Sequence, residues 1–206
     1  MAETFAVFLD RDGVICENRA DHVRSWRDFT FLPGTIDAIA SLRRAGAKIF
    51  IITNQAAVGR GLMTQGDLAN IHAKMKEVLH GSGADVDGIY ACTHHPADEC
   101  ACRKPGIALL AMAAEEHDII LEESFMVGDY VTDIEAGATA GCTTVLVRSG
   151  RGTQAERIIR TGEAIMPDAV CDDMVDAAFW ILAERASAVA TGRRTAAQRR
   201  REARNR

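Results

Sequence analysis

The sequence contains no apolar run that approaches the length of a membrane-spanning helix. Its first residues, Met-Ala-Glu-Thr-Phe, lack the basic and apolar regions of a signal peptide. The formal net charge of the 206 residues is −5, which argues against a nucleic-acid-binding surface over the body of the protein. We therefore expect a cytoplasmic monomer that binds neither membranes nor, through its body, nucleic acid.

The composition predicts one folded domain followed by a basic tail. Hydrophobic residues make up 48% of the chain and charged residues 26%, which is typical of a globular protein. A chain of this length accommodates one sizeable domain but not two. We expect residues 1–190 to form that domain. The arginine-rich residues 191–206 are predicted to form a disordered, solvated tail, although their charge also permits contact with nucleic acid or an acidic partner.

Short apolar runs alternate with amphipathic stretches along the chain. Five runs predict buried strands of a parallel sheet: Phe5–Leu9, Lys48–Thr53, Gly88–Cys92, Ser124–Gly128 and Thr143–Val147. Five amphipathic patterns predict helices: Thr35–Ala45, Gln65–Leu79, Ile107–His117, Thr132–Ala140 and residues 173 to about 190. This alternation predicts parallel βαβ units with right-handed crossovers. The expected fold is therefore α/β, with a doubly wound, Rossmann-like parallel sheet in three layers.

Three of the six cysteines lie within eleven residues, with histidine between them. Cys92, His94, Cys100 and Cys102 together offer the sulfur and nitrogen ligands of a closed tetrahedral zinc site, which predicts a zinc loop over residues 92–102. His95 is an alternative to His94, because spacing alone does not separate neighbouring histidines. The other interpretation is that these are ordinary small buried cysteines. In a reducing compartment, clustered cysteines bind a metal more often than they form a disulfide, which favours the zinc interpretation.

Polar side chains follow the predicted strands at their carboxyl ends, where doubly wound sheets bind ligands. They are Asp10 and Asp12, Thr53 and Asn54, Arg103 and Lys104, and Asp129. Asp10 and Asp12 would repel each other unless a divalent cation bound them, and Asp129 supplies a third oxygen, so these three predict a Mg²⁺ site. The alternative is that Asp10 and Asp129 only cap helices or turns. The matching positions of Thr53 and Lys104 argue against it.

These segments carry a family resemblance. Asp10-Arg11-Asp12-Gly13, Thr53-Asn54, Lys104, and Gly128-Asp129 followed by Asp133 resemble the signature of the haloacid dehalogenase superfamily of phosphatases over residues 5 to about 150. The resemblance implies that Asp10 forms an aspartyl-phosphate and that Asp12 is the general acid and base. It also implies that Thr53, Asn54 and Lys104 bind the phosphoryl group beside Mg²⁺, while Asp133 orients Lys104 or a metal-bound water instead of binding the metal directly.

Within the superfamily, the zinc loop resembles both the heptose 1,7-bisphosphate phosphatases and the histidinol-phosphate phosphatases. About twenty residues separate Gly13 from Pro33, too few for a cap domain, so a capless domain is expected in which Arg103 and Arg60 contact the substrate. The segment Thr53–Leu62 resembles the heptose branch. The short zinc loop is more similar to the histidinol branch, and the segment Asn18–Val23 departs from the heptose pattern.

We therefore expect a Mg²⁺-dependent phosphatase that acts on a small phosphorylated molecule. D-glycero-D-manno-heptose 1,7-bisphosphate is the expected substrate, with hydrolysis at the 7-phosphate. Histidinol phosphate is the alternative substrate. A non-enzymatic, zinc-containing binding module is a third interpretation, and the intact pair Asp10 and Asp12 argues against it.

Overall fold

The computed structural model describes residues 5–191. The predicted basic tail, residues 191–206, lies outside the described residues apart from its first position. Within the described range, no helix is both long and apolar enough to cross a membrane.

Six parallel strands form the sheet. They are β1 (Ala6–Leu9), β2 (Lys48–Asn54), β3 (Gly88–Cys92), β4 (Phe125–Gly128), β5 (Thr143–Val147) and β6 (Ala169–Cys171). Their order is β3-β2-β1-β4-β5-β6. The chain runs outward from β1 to β3 and then returns to β4 on the other side of β1. The order therefore reverses between β1 and β4, the position at which such sheets bind ligands.

Within residues 5–191, seven α-helices surround the sheet. They are α1 (Thr35–Arg44), α2 (Ala56–Gly59), α3 (Gln65–Gly81), α4 (Ala108–His117), α5 (Val131–Ala140), α6 (Gly152–Arg160) and α7 (Met174–Thr191). Three short 3₁₀ turns complete the described structure: Trp26–Asp28, Pro96–Asp98 and Leu121–Glu123.

Alternate residues of the central strands pack into cores on opposite faces of the sheet. On β1, Val7 and Leu9 pack with buried residues of α1, α3 and α7, whereas Phe8 packs with α4 and α5. Both faces of a parallel sheet must be covered, because its strands are apolar on both sides. The predicted three-layer, doubly wound fold is confirmed. The β1–α1 connection holds only the 3₁₀ turn Trp26–Asp28, and the β2–β3 connection holds only α2 and α3, so the capless prediction is also confirmed.

Three elements are missing from the sequence prediction, which stopped at five strands and five helices: the four-residue α2, the sixth strand and α6. The sixth strand, Ala169–Cys171, has three residues, which are too few to show an alternating pattern. Helix α6 has three buried residues, Gly152, Ala155 and Ile159, among polar ones. Ala155 and Ile159 lie four residues apart, so the amphipathic pattern was present in the sequence although it was not selected.

Candidate active site

A buried lysine joins two carboxylates at the switch point of the sheet. Lys104 Nζ lies 2.9 Å from Asp10 Oδ1 and 2.7 Å from Asp133 Oδ1. It also donates to the Ile52 carbonyl at 2.6 Å. Burial alone would lower the pKa of Lys104, but the charges of Asp10 and Asp133 raise it above its ordinary value. Lys104 is therefore held as a cation inside the protein, where 3% of its surface is exposed.

Asp129 completes a cluster of three buried carboxylates with Asp10 and Asp133. One ligand atom from each lies within 4.8 Å of the others. Burial raises the pKa of Asp10 to about 6, against the opposing effect of Lys104. Burial, together with the charges of Asp10 and Asp133, raises the pKa of Asp129 to about 8. When ionised, the three carboxylates and Lys104 together carry a net charge of −2.

A divalent cation fits this cluster. The Oδ1 atom of Asp129 is buried and has no hydrogen-bond partner among the described residues. Such an atom is costly unless a ligand binds it. A +2 ion would balance the charge, and carboxylate oxygens are the ligands that Mg²⁺ prefers. Of the three predicted Mg²⁺ ligands, Asp10 and Asp129 lie in the cluster, whereas the carboxylate of Asp12 points to Arg11 and Gln55.

The segment after β5 holds Asp129 in place. The backbone N–H of Arg151 donates to Asp129 Oδ2 at 2.7 Å, and Ser149 Oγ donates to the Gly13 carbonyl at 2.7 Å. Gly13 and Gly150 both have positive φ, and a Cβ at either would collide with the Asp129 carboxylate. The sequence analysis did not select this segment. It follows a predicted strand at the same edge of the sheet, and that position was the signal that could have found it.

Asp12 is surrounded by donors that the sequence analysis also missed. Arg11 is 1% exposed, and its Nη2 lies 3.0 Å from Asp12 Oδ1 and 3.0 Å from Gln55 Oε1. The Gln55 amide nitrogen donates to Asp12 Oδ2 at 2.8 Å and to Thr53 Oγ1 at 2.9 Å. Arginine and glutamine are usually exposed, so nothing in their sequence positions marked them as buried.

Asn54 holds the backbone of Lys104 at two points. Its Nδ2 donates to the Lys104 carbonyl at 3.1 Å, and its Oδ1 accepts from the Lys104 N–H at 3.0 Å. The sequence analysis assigns Asn54 to phosphate binding. In the structure its amide orients the lysine, and a direct contact with phosphate stays a prediction.

A cavity of about 730 Å³ opens above these residues. Its lining includes Asp10, Asp12 and Asp133, the amides of Asn54 and Gln55, the cations Arg19, Arg103, Lys104 and Arg151, and Tyr130. The guanidinium of Arg151 stacks on the Tyr130 ring, 4.0 Å from its centroid. Arg60, a predicted substrate contact, is exposed just after α2 and is absent from this lining.

The cysteine loop brings together the four predicted donors. Sγ of Cys100 lies 3.5 Å from Cys92 Sγ and 3.4 Å from Cys102 Sγ, and His94 Nδ1 lies 3.1 Å from Cys102 Sγ. A tetrahedron with metal–sulfur distances of about 2.3 Å has sulfur–sulfur edges of roughly 3.8 Å, so the set fits Zn²⁺. His95 instead accepts the Ala97 N–H and caps the 3₁₀ turn.

Two further features support metal binding and connect the loop to the cavity. Burial would raise the pKa of Cys100, but hydrogen bonds from Cys102 and Cys92 lower it to about 6, whereas burial and the neighbouring thiols raise the pKa of Cys102 to about 12, so a bound cation would be needed to ionise the whole set. Arg103 follows Cys102 directly, and its Nη2 donates to the His94 carbonyl at 2.8 Å. A metal bound to His94 would therefore fix the position of Arg103.

Comparisons with known proteins agree with this geometry. A family model described as HAD-hydrolase-like matches residues 101–177. The D-glycero-beta-D-manno-heptose-1,7-bisphosphate 7-phosphatase of Bordetella bronchiseptica is 36% identical over 178 residues, which cover 86% of this chain and 98% of that protein. The protein of the same name from Helicobacter pylori strain J99 is 42% identical over 136 residues, which cover 66% of this chain and 78% of that protein.

Solved structures give the same result. A crystal structure of the D,D-heptose 1,7-bisphosphate phosphatase of B. bronchiseptica, complexed with magnesium and phosphate, superposes with a TM-score of 0.82 at 36% identity, covering 87% of this chain and 99% of that one. The Burkholderia thailandensis structure of the same name gives a TM-score of 0.62 at 32% identity, covering 86% and 98%. The chain therefore belongs to the HAD-like hydrolases, in the family of the D,D-heptose 1,7-bisphosphate phosphatases.

Proposed function

We propose that this protein is a Mg²⁺-dependent phosphatase that hydrolyses the 7-phosphate of D-glycero-D-manno-heptose 1,7-bisphosphate through an aspartyl-phosphate. The observation that carries the proposal is the buried cluster of three carboxylates and Lys104 at the base of the cavity. Relatives of that name support the substrate, since they are 36% to 42% identical over most of their length.

The first step transfers the phosphoryl group to Asp10. A carboxylate oxygen of Asp10 attacks phosphorus, and the bond from phosphorus to the sugar oxygen breaks. Asp12 gives its proton to that leaving oxygen. Lys104 and the hydroxyl of Thr53 stabilise the negative charge on the transferred group.

The second step releases phosphate. Asp12 removes a proton from water, the water oxygen bonds to phosphorus, and the bond to Asp10 breaks, which restores the Asp10 carboxylate and the protonated Asp12. Asp10 and Asp129 would hold Mg²⁺. When bound, the ion supplies positive charge that offsets the phosphoryl oxygens. A side-chain contribution of Asp12 to the metal stays a prediction.

A bisphosphate needs cations away from the reacting phosphorus, and the cavity offers three arginines besides the buried Arg11. Arg103 stands on the cysteine loop, Arg151 is held against Tyr130, and Arg19 lies on the loop after β1. A guanidinium suits two-point binding of a second phosphate. We propose that this role falls to Arg103 and Arg151. Arg60, which lies outside the lining, would need to move to take part.

The zinc loop has a structural role in this proposal. Four protein ligands close a tetrahedral site, which leaves no position for a substrate. The ion would therefore stabilise the loop and hold Arg103 at the cavity. Unpaired thiols such as these persist in a reducing compartment, which supports a cytoplasmic location. We keep the monomeric state, and a body that binds neither membrane nor nucleic acid, as predictions.

Two experiments test the function. The first compares kcat/KM for heptose 1,7-bisphosphate with that for histidinol phosphate in Mg²⁺, and the proposal requires a clear preference for the heptose. The second traps the intermediate. With nitrophenyl phosphate, whose leaving group needs no proton, Asp12→Asn should accumulate phosphate covalently on Asp10, detected by peptide mass spectrometry, because the variant lacks the base for the second step. Asp10→Asn should neither accumulate phosphate nor turn over substrate.

A further inference from the structure

Arg11 and Gln55 form a buried pair beside Asp12 and Thr53 at the reacting edge of the sheet. We propose that this pair positions the general acid and base: Arg11 fixes the amide of Gln55, and Gln55 then aligns the carboxylate of Asp12 with the hydroxyl of Thr53. The inference deepens the proposed function and rests on it, since it assigns a role to two residues beside the proposed catalytic groups.

The chemistry of the guanidinium decides the orientation of the amide. An arginine side chain only donates hydrogen bonds, so Arg11 Nη2, 3.0 Å away, must face the amide oxygen of Gln55. The NH₂ group of Gln55 then points the other way, toward Asp12 Oδ2 and Thr53 Oγ1. With Arg11 absent, the amide could rotate and present its oxygen to the Asp12 carboxylate, which would repel it.

Gln55 also defines the direction in which Thr53 donates. A hydroxyl has one proton and two acceptor positions. The Gln55 NH₂ occupies an acceptor position of Thr53 Oγ1 at 2.9 Å, so the hydroxyl proton stays available for a phosphoryl oxygen. One amide therefore connects the group that transfers protons with a group that binds phosphate.

Arg11 is itself held from a second side. Its Nη1 lies 3.3 Å from His72 Nε2 on α3, and this nitrogen must accept because arginine donates. Burial and, to a smaller extent, the charge of Arg11 together lower the pKa of His72 to about 4, so the histidine is neutral as the contact requires. The backbone N–H of Gln55 donates to the Cys92 carbonyl at 2.7 Å, which fixes the other end of the pair.

The test separates alignment of Asp12 from general support of the fold. Gln55→Met has a similar shape but no donor, and Arg11→Lys keeps the charge but loses the planar fork. Each variant is assayed in Mg²⁺ with a series of phosphate esters of rising leaving-group pKa. We expect kcat/KM to fall on the order of 10²-fold for alkyl esters, which need a proton from Asp12, and much less for nitrophenyl phosphate.

A double-mutant cycle supplies the decisive comparison. If Gln55 acts through Asp12, then Gln55→Met should cause no further loss for alkyl esters in an Asp12→Asn background. Gln154→Met, the same change on the exposed side of α6, is the matched control and should behave as the wild type. Arg11→Lys gives an independent measurement if Gln55→Met does not fold.

The outcomes are distinguishable. Suppose that the wild type hydrolyses the esters. Losses of kcat/KM in the variants that are equal for all esters, or that add fully to those of Asp12→Asn, would then overturn the positioning role. A wild-type protein that hydrolysed none of the esters would refute the proposed function, and this inference with it.

Discussion

Replacing Lys104 by methionine removes the buried cation that contacts two members of the carboxylate cluster. The methionine fills a similar volume, but Asp10 and Asp133 lose an ammonium at 2.9 and 2.7 Å. Three carboxylates would then share one buried site whose remaining contact with a cation, among the described residues, is the 3.9 Å separation of Arg151 Nε from Asp129 Oδ2. Breaking a buried ion pair in this way costs about 3–5 kcal/mol, because the remaining charges stay desolvated.

That loss is large against a total stability of about 5–15 kcal/mol. For a chain of this size each kcal/mol corresponds to about 2–4 °C, so the Mg²⁺-free variant should melt roughly 6–20 °C below the wild type at pH 8. The penalty should shrink at low pH. Burial has already raised the pKa of Asp10 to about 6 and of Asp129 to about 8. A folded state with raised carboxyl pKa values binds more protons than the unfolded state, so its stability falls as pH rises through this range.

The assay is thermal unfolding of wild type and variant at pH 5 and pH 8, each with EDTA and with Mg²⁺. Mg²⁺ should recover part of the lost stability at pH 8, since it supplies the missing positive charge. Turnover of any phosphate ester should fall on the order of 10²–10³-fold. Lys76→Met, on the exposed face of α3, controls for loss of a lysine. Equal melting temperatures for Lys104→Met and wild type at pH 8 without Mg²⁺ would refute the reasoning.

Three further predictions follow from the site. Protons compete with Mg²⁺ for Asp10 and Asp129, whose pKa values are raised to about 6 and about 8, so the Mg²⁺ dissociation constant measured by calorimetry should rise roughly 10²-fold from pH 8 to pH 6. Elemental analysis should find about one zinc per chain, and Cys100→Ser should lower zinc content, melting temperature and activity. Arg103→Ala should reduce kcat/KM for the bisphosphate about 10- to 100-fold, but far less for a small aryl phosphate, because a charge-assisted hydrogen bond contributes about 1.5–3 kcal/mol.

Each of these has a control and a contrary outcome. Cys171→Ser changes a cysteine outside the cluster and should leave zinc content unchanged. Protein prepared without chelators that contained no zinc would contradict the loop assignment. Arg44→Ala, at the exposed end of α1, is the control for Arg103→Ala. If Arg103→Ala lowered kcat/KM equally for both substrates, the source of specificity would have to lie elsewhere in the cavity. A Mg²⁺ affinity independent of pH would argue against carboxylates as its ligands.

Much of the fold and of the cluster follows from one rule of sheet geometry. The carboxyl ends of parallel strands meet at one edge, so short polar motifs after apolar runs predict that Asp10, Asp129 and Lys104 converge. The structure brings these three together. The choice between His94 and His95 could not be made from spacing, because it depends on which ring reaches Cys102 across the folded loop.

The missed residues are those whose roles depend on three-dimensional contacts alone. Arg11 lies between Asp10 and Asp12, which were both predicted site residues. Only the folded chain, however, shows that its side chain is turned inward to Gln55 and His72. Arg60 carries the right charge at a suitable distance along the chain, but α2 leaves it outside the cavity. Arg151 lies in the cavity lining instead. Long polar side chains reach several ångströms in many directions, so position in the sequence does not determine their partners.

The most direct test of the central claim is the ³¹P NMR spectrum of D-glycero-β-D-manno-heptose 1,7-bisphosphate during incubation with the protein and Mg²⁺. The account predicts that the 7-phosphate signal disappears as inorganic phosphate grows, that the 1-phosphate signal persists, and that EDTA or Asp10→Asn stops the change. Loss of the 1-phosphate, or no loss of either signal under conditions in which histidinol phosphate is hydrolysed, would contradict it.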